Sequence, residues 1–417
     1  MTKKLKNYNT IDRKEISVVN KVMKSGNLSL FLADTKKDIK GNGPDGGKYV
    51  RKLENQVQKY FNVKYAIAVN SWTSGLICCV GSLQLEPGDE IILPSWTMSA
   101  CASVILHWNC IPVFSDIDKN TFCIDPVDIE KKISQKTKAI MAVDIFGQSS
   151  NISKLKKLAK KYKLKIISDS AQAIGSKYKG KYSGTLADIG GFSFNCHKHI
   201  QTGEGGIVVT NDFKLYKKCK LIRNHAETTV GNPKKKSDLI NMIGENYRMC
   251  EIEAAIATEQ LKKLKKIIKD RQSVAKNFIN NLKSLPGINI PKTPAYNTNV
   301  YYILPLLIKE GTLKISRSKL VEILNKNKIH CFMNGYINVH KLPIFKYKIA
   351  YGKAHHPWSL TKNGKLMNYN KCKLHYSEKY NDNEFLGIEI CMYKFEIKNI
   401  NHITKKFKKI WSRYLIK

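Results

Sequence analysis

The stretch AIMAVDIFGQSSNISKLKKLAKKYKLKIISD (residues 139–169) decides the fold class, because two different periodicities alternate within it. Its ends, AIMAVDIF (139–146) and LKIISD (164–169), are short apolar runs typical of buried strands. Between them, residues 153–162 form a lysine-rich amphipathic pattern with helical spacing. A strand, a helix and a second strand in this order indicate a unit of parallel sheet.

Further apolar runs continue this alternation on both sides. They are YAIAV (65–69), EIILP (90–94), IPVFSDI (111–117) and GGIVVT (205–210). Uniformly apolar strands that are separated by helices belong in a sheet covered on both faces. We therefore predict the α/β class, with a mainly parallel (mixed) sheet and helices on both faces.

The pattern changes in the last third of the chain. Residues 251–283 contain neither glycine nor proline and predict one long helix, and shorter helices are predicted at 317–327 and near 401–415. We expect residues 1–250 to form an N-terminal arm and a large domain. Residues 251–417 are expected to form a linking helix and a smaller α+β domain.

The composition indicates a globular protein. Hydrophobic residues make up 42% of the 417 residues, which is enough for a core. No run approaches the roughly 18 apolar residues of a membrane span, and no signal-peptide apolar segment follows the basic N-terminus. The 11 cysteines include no C-x-x-C pair, so zinc and iron–sulfur ligation have little support. We expect reduced thiols, no metal, no membrane association and a cytoplasmic protein.

The net charge of +39 suggests nucleic-acid binding at first sight. However, only seven of the 72 basic residues are arginines, the side chain best suited to bidentate phosphate and base contacts. The lysines are spread along the whole chain. We therefore favour lysines on solvated faces and no nucleic-acid partner, with a positive field that attracts an anionic nucleotide substrate.

Polar side chains follow the ends of two predicted strands. Asp169 follows KIIS, and Ser71, Trp72 and Thr73 follow YAIAV at the start of a predicted helix. In a doubly wound sheet, ligands bind beyond the carboxyl ends of the strands, and a helix N-terminus can hold a phosphate. Taken singly, each signal is weak, because helix caps and turn residues give the same pattern.

Two segments carry a more specific pattern, SDSAQAIGS (168–176) and GGFSFNCHKHIQTGEGGIVVT (190–210). They contain Asp169, Ala171 and Gln172, then Ser193, Phe194 and Lys198, then Gly203, Glu204, Gly205 and Gly206. This order resembles the nucleotide-sugar aminotransferases of the DegT/DnrJ type, whose pattern is D-x-A-Q or D-x-A-H, then S-F-x-x-x-K, then G-E-G-G. The similarity extends from about residue 15 to the C-terminus.

The resemblance implies the type I fold of pyridoxal-phosphate enzymes and pyridoxal 5′-phosphate as the cofactor. It assigns to Lys198 the covalent bond with the cofactor aldehyde and the later transfer of the substrate proton. It places Asp169 beside the pyridine nitrogen, where a carboxylate keeps the ring protonated, and Gln172 on the side of the ring oxygen. Ser193 and the region of Thr73 correspond to the phosphate cradle.

The resemblance also implies residues at the substrate and at a subunit interface. Asn246 matches an asparagine that reaches the phosphate from the neighbouring subunit, so we expect a homodimer with shared active sites; a simple turn residue is the alternative. His199 is a candidate substrate contact, with packing as the alternative. Tyr336 and His340, in NGYINVHKLPIF (334–345), match positions near the substrate.

Two residues depart from the family pattern. Trp72 occupies the position of a small residue, so its indole must either point away from the phosphate or enter the substrate cavity. Met98 occupies the position of an aromatic residue that stacks on the cofactor ring. Met98, Trp96 and Trp72 are therefore all candidates for this cofactor contact.

Three functions follow from these observations. The first is the transfer of an amino group from an amino acid, glutamate in most relatives, to a nucleotide-linked keto-deoxy sugar for polysaccharide synthesis. The second keeps the chemistry but uses a keto cyclitol or a related ring ketone. The third is a cofactor-binding regulator without turnover or a nucleic-acid-binding protein, and the intact set of Lys198, Asp169 and Ser193 argues against it.

Overall fold

A computed structural model describes residues 5–31, 45–226 and 243–416. The described strands are β1 (Tyr65–Val69), β2 (Glu90–Pro94), β3 (Ile111–Ser115), β4 (Thr137–Val143), β5 (Lys165–Asp169), β6 (Lys177–Tyr178), β7 (Lys181–Tyr182), β8 (Ile189–Ser193), β9 (Gly206–Thr210), β10 (Ile288–Asn289), β11 (Asn297–Thr298), β12 (Leu304–Ile308), β13 (Phe332–Met333) and β14 (Phe385–Ile388).

The described α-helices lie between and after these strands. They are α1 (Arg13–Ser25), α2 (Lys48–Phe61), α3 (Trp72–Ser82), α4 (Ala100–His107), α5 (Pro126–Lys132), α6 (Ile152–Tyr162), α7 (Phe213–Arg223), α8 (Glu251–Leu282), α9 (Arg317–Lys326), α10 (Pro343–Lys346), α11 (Lys362–Leu366), α12 (His375–Lys379) and α13 (Ile397–Tyr414). Within the described ranges, none of them combines the length and apolar character needed to cross a bilayer.

The largest sheet has seven strands in the order β1-β9-β8-β5-β4-β2-β3. Strand β9 runs antiparallel to both of its neighbours, and the remaining pairs are parallel. The predicted mainly parallel, mixed sheet is therefore confirmed. Because β1, β5 and β8 run in the same direction, the residues that follow their carboxyl ends meet at one edge of the sheet.

Alternate residues of β1 contribute to different cores, as the period of two in a strand requires. Ile67 and Val69 pack in the core on the face covered by α3. Ala66 and Ala68 pack in the core formed with α2 and α8. The sheet thus has helices on both faces, which accounts for the uniformly apolar strands of the sequence.

The chain after α8 forms a second, antiparallel sheet in the order β10-β12-β14-β13. Its core contains residues from α9, α13 and the end of α8, including Leu324, Trp411 and Phe278. Other late residues, such as Phe345 and Trp358, pack on the core of the large sheet instead. The division of the chain at residue 250 stays a prediction.

Element boundaries differ from the sequence predictions by a few residues. The strand predicted at 139–146 ends at Val143, because a turn follows in which Phe146 has a φ of 60°. The final helix begins at Ile397, earlier than predicted. Strand β8 was missed as a strand, since its sequence IGGFS has two glycines in place of apolar side chains.

Candidate active site

A cavity of about 440 Å³ opens at the carboxyl ends of β1, β5 and β8. Most of the predicted site residues line it, namely Trp72, Thr73, Met98, Asp169, Gln172, Ser193, Lys198 and Tyr336. These residues come from segments that are far apart in the sequence. The parallel sheet brings them together because it gathers strand ends at one edge.

Lys198 lies in the turn between β8 and β9, where its backbone N–H donates to the Asn195 carbonyl at 2.9 Å. Burial lowers the pKa of its ammonium below the usual value, and the nearby Asp169 carboxylate opposes this shift. A lowered pKa increases the fraction of neutral amine, which is the nucleophilic form. The Lys198 side chain is thus suited to attack a carbonyl carbon.

Asp169 is the last residue of β5, and its side chain is only 5% exposed. Its Oδ1 accepts hydrogen bonds from Trp72 Nε1 at 2.7 Å and from the Ala171 N–H at 3.0 Å. Its Oδ2 accepts one from the Cys101 thiol at 3.1 Å. These donors compensate the hydration that a carboxylate loses on burial.

The indole of Trp72 points inward from the first turn of α3 and is 6% exposed. It packs against Gly191 of β8, where a Cβ atom would lie 2.3 Å from the ring. The ring borders the cavity with its N–H directed at Asp169. The indole is therefore directed toward the Asp169 carboxylate. The sequence did not indicate this hydrogen bond.

Gln172 and Tyr336 are joined by a hydrogen bond. Gln172 Nε2 donates to the Tyr336 hydroxyl at 2.9 Å, and Gln172 Oε1 accepts from the Phe146 N–H at 2.8 Å. Both ends of the amide are thereby fixed, which assigns its orientation. This contact ties the segment that follows β13 to the turn that follows β5.

Thr73 and Ser193 border the cavity at the ends of β1 and β8. Thr73 is exposed in the first turn of the 11-residue helix α3, whose N-cap is Ser71. The N-terminus of such a helix favours an anion through its free N–H groups and its dipole. The cavity therefore combines a site for an anion with an amine and a buried carboxylate.

A family model described as the DegT/DnrJ/EryC1/StrS aminotransferase family matches residues 31–368. The chain belongs to this family. The resemblance, the type I fold and the class of pyridoxal-phosphate-dependent sugar aminotransferases that the sequence predicted are confirmed.

Relatives and a solved structure agree with this assignment. The chain is 37% identical over 263 residues to GDP-perosamine synthase of Escherichia coli O157:H7, covering 63% of this chain and 70% of the relative. It is 34% identical over 266 residues to 3-oxo-glucose-6-phosphate:glutamate aminotransferase of Bacillus subtilis, covering 63% and 58%. The structure of PseC from Helicobacter pylori, an aminotransferase of pseudoaminic acid biosynthesis, has a TM-score of 0.82 at 26% identity and covers 99% of this chain and 100% of that one.

The cavity residues suit the cofactor of this aminotransferase family. Lys198 offers an amine for an aldehyde, Asp169 a buried carboxylate for a ring nitrogen, and the start of α3 a site for a phosphate. Protein donors do not occupy all the acceptor positions of Asp169. Among the described residues, only the Cys101 thiol donates a hydrogen bond to Oδ2. The site can thus accept a protonated ring nitrogen.

Two predicted substrate contacts do not line the cavity. The ring of His199 is buried, with Nε2 2.8 Å from the Val300 carbonyl oxygen. The ring of His340 is also buried, with Nδ1 2.5 Å from Ser95 Oγ. Each ring faces protein atoms and does not border the cavity, so the contacts of both histidines with the substrate stay predictions.

Asn246 lies outside the cavity of its own chain and is exposed. Its Oδ1 accepts a hydrogen bond from Arg248 Nε at 2.8 Å, and its backbone pairs with Asn224. The turn places it beside the end of β1, since its carbonyl accepts from Asn70 Nδ2 at 3.4 Å. Asn246 is not among the residues that line the cavity, so its contact with the cofactor stays a prediction.

The three candidates for stacking on the cofactor ring occupy different places. Trp96 is fully buried and donates its Nε1 hydrogen to the Tyr336 carbonyl at 2.6 Å, so it does not reach the cavity. Trp72 uses its N–H for Asp169. Met98 is 56% exposed at the cavity and is the candidate best placed for a ring contact.

Tyr302 and Cys101 are among the cavity residues that were not predicted. Tyr302 precedes β12 in the C-terminal part of the chain, and Cys101 lies in α4. The only sequence signal for Tyr302 was its place as one of two tyrosines in the otherwise apolar run VYYILPLLI (300–308). Cys101 gave no signal, because a lone cysteine in an apolar helix is normally a core residue.

Proposed function

We propose that this chain transfers an amino group from glutamate to a nucleotide-linked keto-deoxy sugar, in the synthesis of amino sugars for surface polysaccharides. The proposal depends on one observation, that the Lys198 amine and the buried Asp169 carboxylate line the same cavity. The relative named GDP-perosamine synthase supports a nucleotide-linked sugar, and the relative whose name includes glutamate supports the donor.

The cofactor supplies an electron sink for the charge that develops on the carbon bearing the amino group. Lys198 would hold the cofactor, and its amine would accept and return the proton at the carbon that bears the amino group. Its lowered pKa favours the neutral amine that accepts this proton. Asp169 would hold the ring nitrogen in its charged form, and Thr73 and Ser193 would hold the phosphate. Met98, Gln172 and Tyr336 fix the plane of the ring and the position of the substrate.

The active enzyme in this proposal is a homodimer in which Asn246 reaches the phosphate in the neighbouring subunit. The exposed position of Asn246 beside the end of β1 supports this role. Mixing Lys198→Ala subunits with Asn246→Ala subunits is expected to restore part of the activity, because each mixed dimer contains one intact site. A monomeric, fully active enzyme would contradict the dimer.

A cytoplasmic location is part of the proposal. All eleven cysteines are free thiols, and most of them are buried in apolar surroundings. Proteins of oxidising compartments use such cysteines for disulfides. Fractionation of the producing cells is expected to place the enzyme with the cytoplasmic markers, and recovery outside that fraction would contradict this part of the proposal.

An experiment on the covalent bond between the cofactor and Lys198 tests the proposal directly. The purified protein is expected to absorb in the visible range, and glutamate is expected to bleach this band. Borohydride reduction followed by peptide mapping should label Lys198. Lys198→Ala should lose the label and the activity, whereas replacement of the exposed Lys214 by alanine should change neither. A label on another lysine would contradict the assignment.

A ring ketone that carries no nucleotide is the second candidate substrate. One relative is named 3-oxo-glucose-6-phosphate:glutamate aminotransferase, and this name favours a substrate without a nucleotide. A panel of nucleotide-linked keto sugars, keto sugar phosphates and keto cyclitols separates the two candidates. Turnover confined to the compounds without a nucleotide would exclude the first proposal and leave the aminotransferase chemistry intact.

A further inference from the structure

The hydrogen bond from Trp72 Nε1 to Asp169 Oδ1 is a contact to which the proposed function assigns no role. It measures 2.7 Å, and both side chains are buried. We propose that Trp72 is a positioning residue for Asp169, and that its indole N–H holds the carboxylate with Oδ2 turned toward the ring nitrogen of the cofactor. This inference rests on the proposed role of Asp169.

The acceptor positions of the carboxylate lead to this orientation. A carboxylate has about four of them, two on each oxygen. Oδ1 accepts from Trp72 Nε1 and from the Ala171 N–H, so both of its positions are used. Oδ2 accepts from the Cys101 thiol only, among the hydrogen bonds of the described residues. A protonated ring nitrogen can therefore donate to the remaining position on Oδ2.

The surroundings of the indole keep this donor in place. Gly191 is the register partner of Asp169 on the adjacent strand, and a Cβ atom there would lie 2.3 Å from Trp72 Cζ3. A Cβ atom at Gly75, one turn further along α3, would lie 2.8 Å from Trp72 Cε3. The indole thus fills a slot that two glycines leave open. A donor fixed by packing orients its acceptor without losing further side-chain entropy.

A comparison of two cofactor forms tests this role without measuring turnover. The apoprotein is titrated with pyridoxal 5′-phosphate and with its 1-deaza analogue, in which carbon replaces the ring nitrogen, and each Kd is measured by fluorescence. The wild-type enzyme should prefer the natural cofactor. Trp72→Phe should reduce this preference about tenfold and leave the Kd of the analogue nearly unchanged, because one hydrogen bond to a charged group is lost.

Three variants serve as controls. Trp108 is also buried and donates its Nε1 hydrogen to the Ile77 carbonyl at 2.8 Å, so Trp108→Phe removes a comparable bond and should leave the preference unchanged. Gly75→Ala places a Cβ atom 2.8 Å from Trp72 Cε3, so it pushes on the indole and should act like Trp72→Phe, which keeps the test decisive if that variant does not fold. In an Asp169→Asn enzyme, Trp72→Phe should change the preference no further.

Every other result contradicts either the positioning role of Trp72 or the proposed role of Asp169. An equal loss of affinity for both compounds, or an increased preference in Trp72→Phe, would show that Trp72 does not position Asp169. If Asp169→Asn lowers the preference and neither Trp72→Phe nor Gly75→Ala does, only this inference fails. If the wild-type enzyme binds both compounds equally well, the proposed role of Asp169 itself fails.

Discussion

The amine of Lys198 lies 4.5 Å from the centre of the Tyr302 ring. The ring contributes a face that attracts the ammonium form and shields the amine from solvent. The next residue, His199, binds the Val300 carbonyl, so two consecutive side chains contact the same short segment. The segment that precedes β12 thus covers Lys198 and fixes its position.

Replacing Tyr302 should separate the effect of the ring from that of the hydroxyl group. Tyr302→Leu removes the ring and is expected to slow the reaction with glutamate about tenfold, because the amine loses its fixed position. Tyr302→Phe keeps the ring and is expected to stay within about threefold of the wild type. Single-turnover bleaching of the visible band measures both rates. Equal losses in the two variants would show that the hydroxyl group is decisive.

Much of this architecture follows from local patterns in the sequence. The strands of the large sheet are uniformly apolar because both faces are covered, so the alternation of runs and helices predicted the fold class. The site was predicted from two short motifs, whose order of Asp169, Ser193 and Lys198 resembles that of the DegT/DnrJ family. Both kinds of signal depend only on short-range spacing.

The remaining parts of the site depend on contacts between distant segments. The direction of the Trp72 indole is set by Gly191, where the absence of a side chain leaves room for the ring. Tyr302 reaches Lys198 from the segment that leads into β12 of the second sheet. His199 adjoins Lys198 in the sequence, yet consecutive residues of a turn point in different directions. Such relationships cannot be obtained from spacing along the chain.

Burial of His199 should make the stability of the protein depend on acid pH. Burial lowers the pKa of the His199 imidazole to about 4, from a usual value of 6.5. As the pH falls below 6.5, the unfolded chain binds a proton that the folded protein does not. The contribution is therefore complete above pH 6.5 and is lost progressively down to about pH 4, by on the order of 3 kcal/mol.

His199→Gln is expected to remove this part of the pH dependence, because glutamine keeps a donor for the Val300 carbonyl but does not titrate. Urea unfolding of both proteins between pH 4 and pH 7 measures the difference, with His355→Gln as the control at an exposed histidine. Parallel stability curves for wild type and His199→Gln would contradict the assignment.

His340 should act on stability and not on substrate affinity. Its ring links Ser95, directly after β2, to Glu378 of α12, with Nε2 3.3 Å from Glu378 Oε1. His340→Ala breaks this link and leaves a cavity, so we expect a loss of about 2 kcal/mol in the free energy of unfolding. The KM for the sugar is expected to stay within about twofold. A large rise in KM with unchanged stability would favour the predicted substrate contact.

Arg223 and Glu54 form a buried ion pair beside the end of β1. Arg223 is fully buried, and its Nη1 donates to Glu54 Oε1 at 2.9 Å and to the Ala68 carbonyl at 3.1 Å. Burial raises the pKa of Glu54, and the Arg223 guanidinium opposes this shift.

Arg223→Met leaves the Glu54 carboxyl group without the guanidinium that pairs with it, and should lower the free energy of unfolding by on the order of 3 kcal/mol at neutral pH. Adding Glu54→Gln should recover part of that loss, because a neutral amide is less costly to bury than a carboxylate, and urea unfolding of the single and double variants measures the recovery. If the double variant is as unstable as the sum of the two single variants, the charge on Glu54 is not the cause, and lost packing around the guanidinium explains the effect.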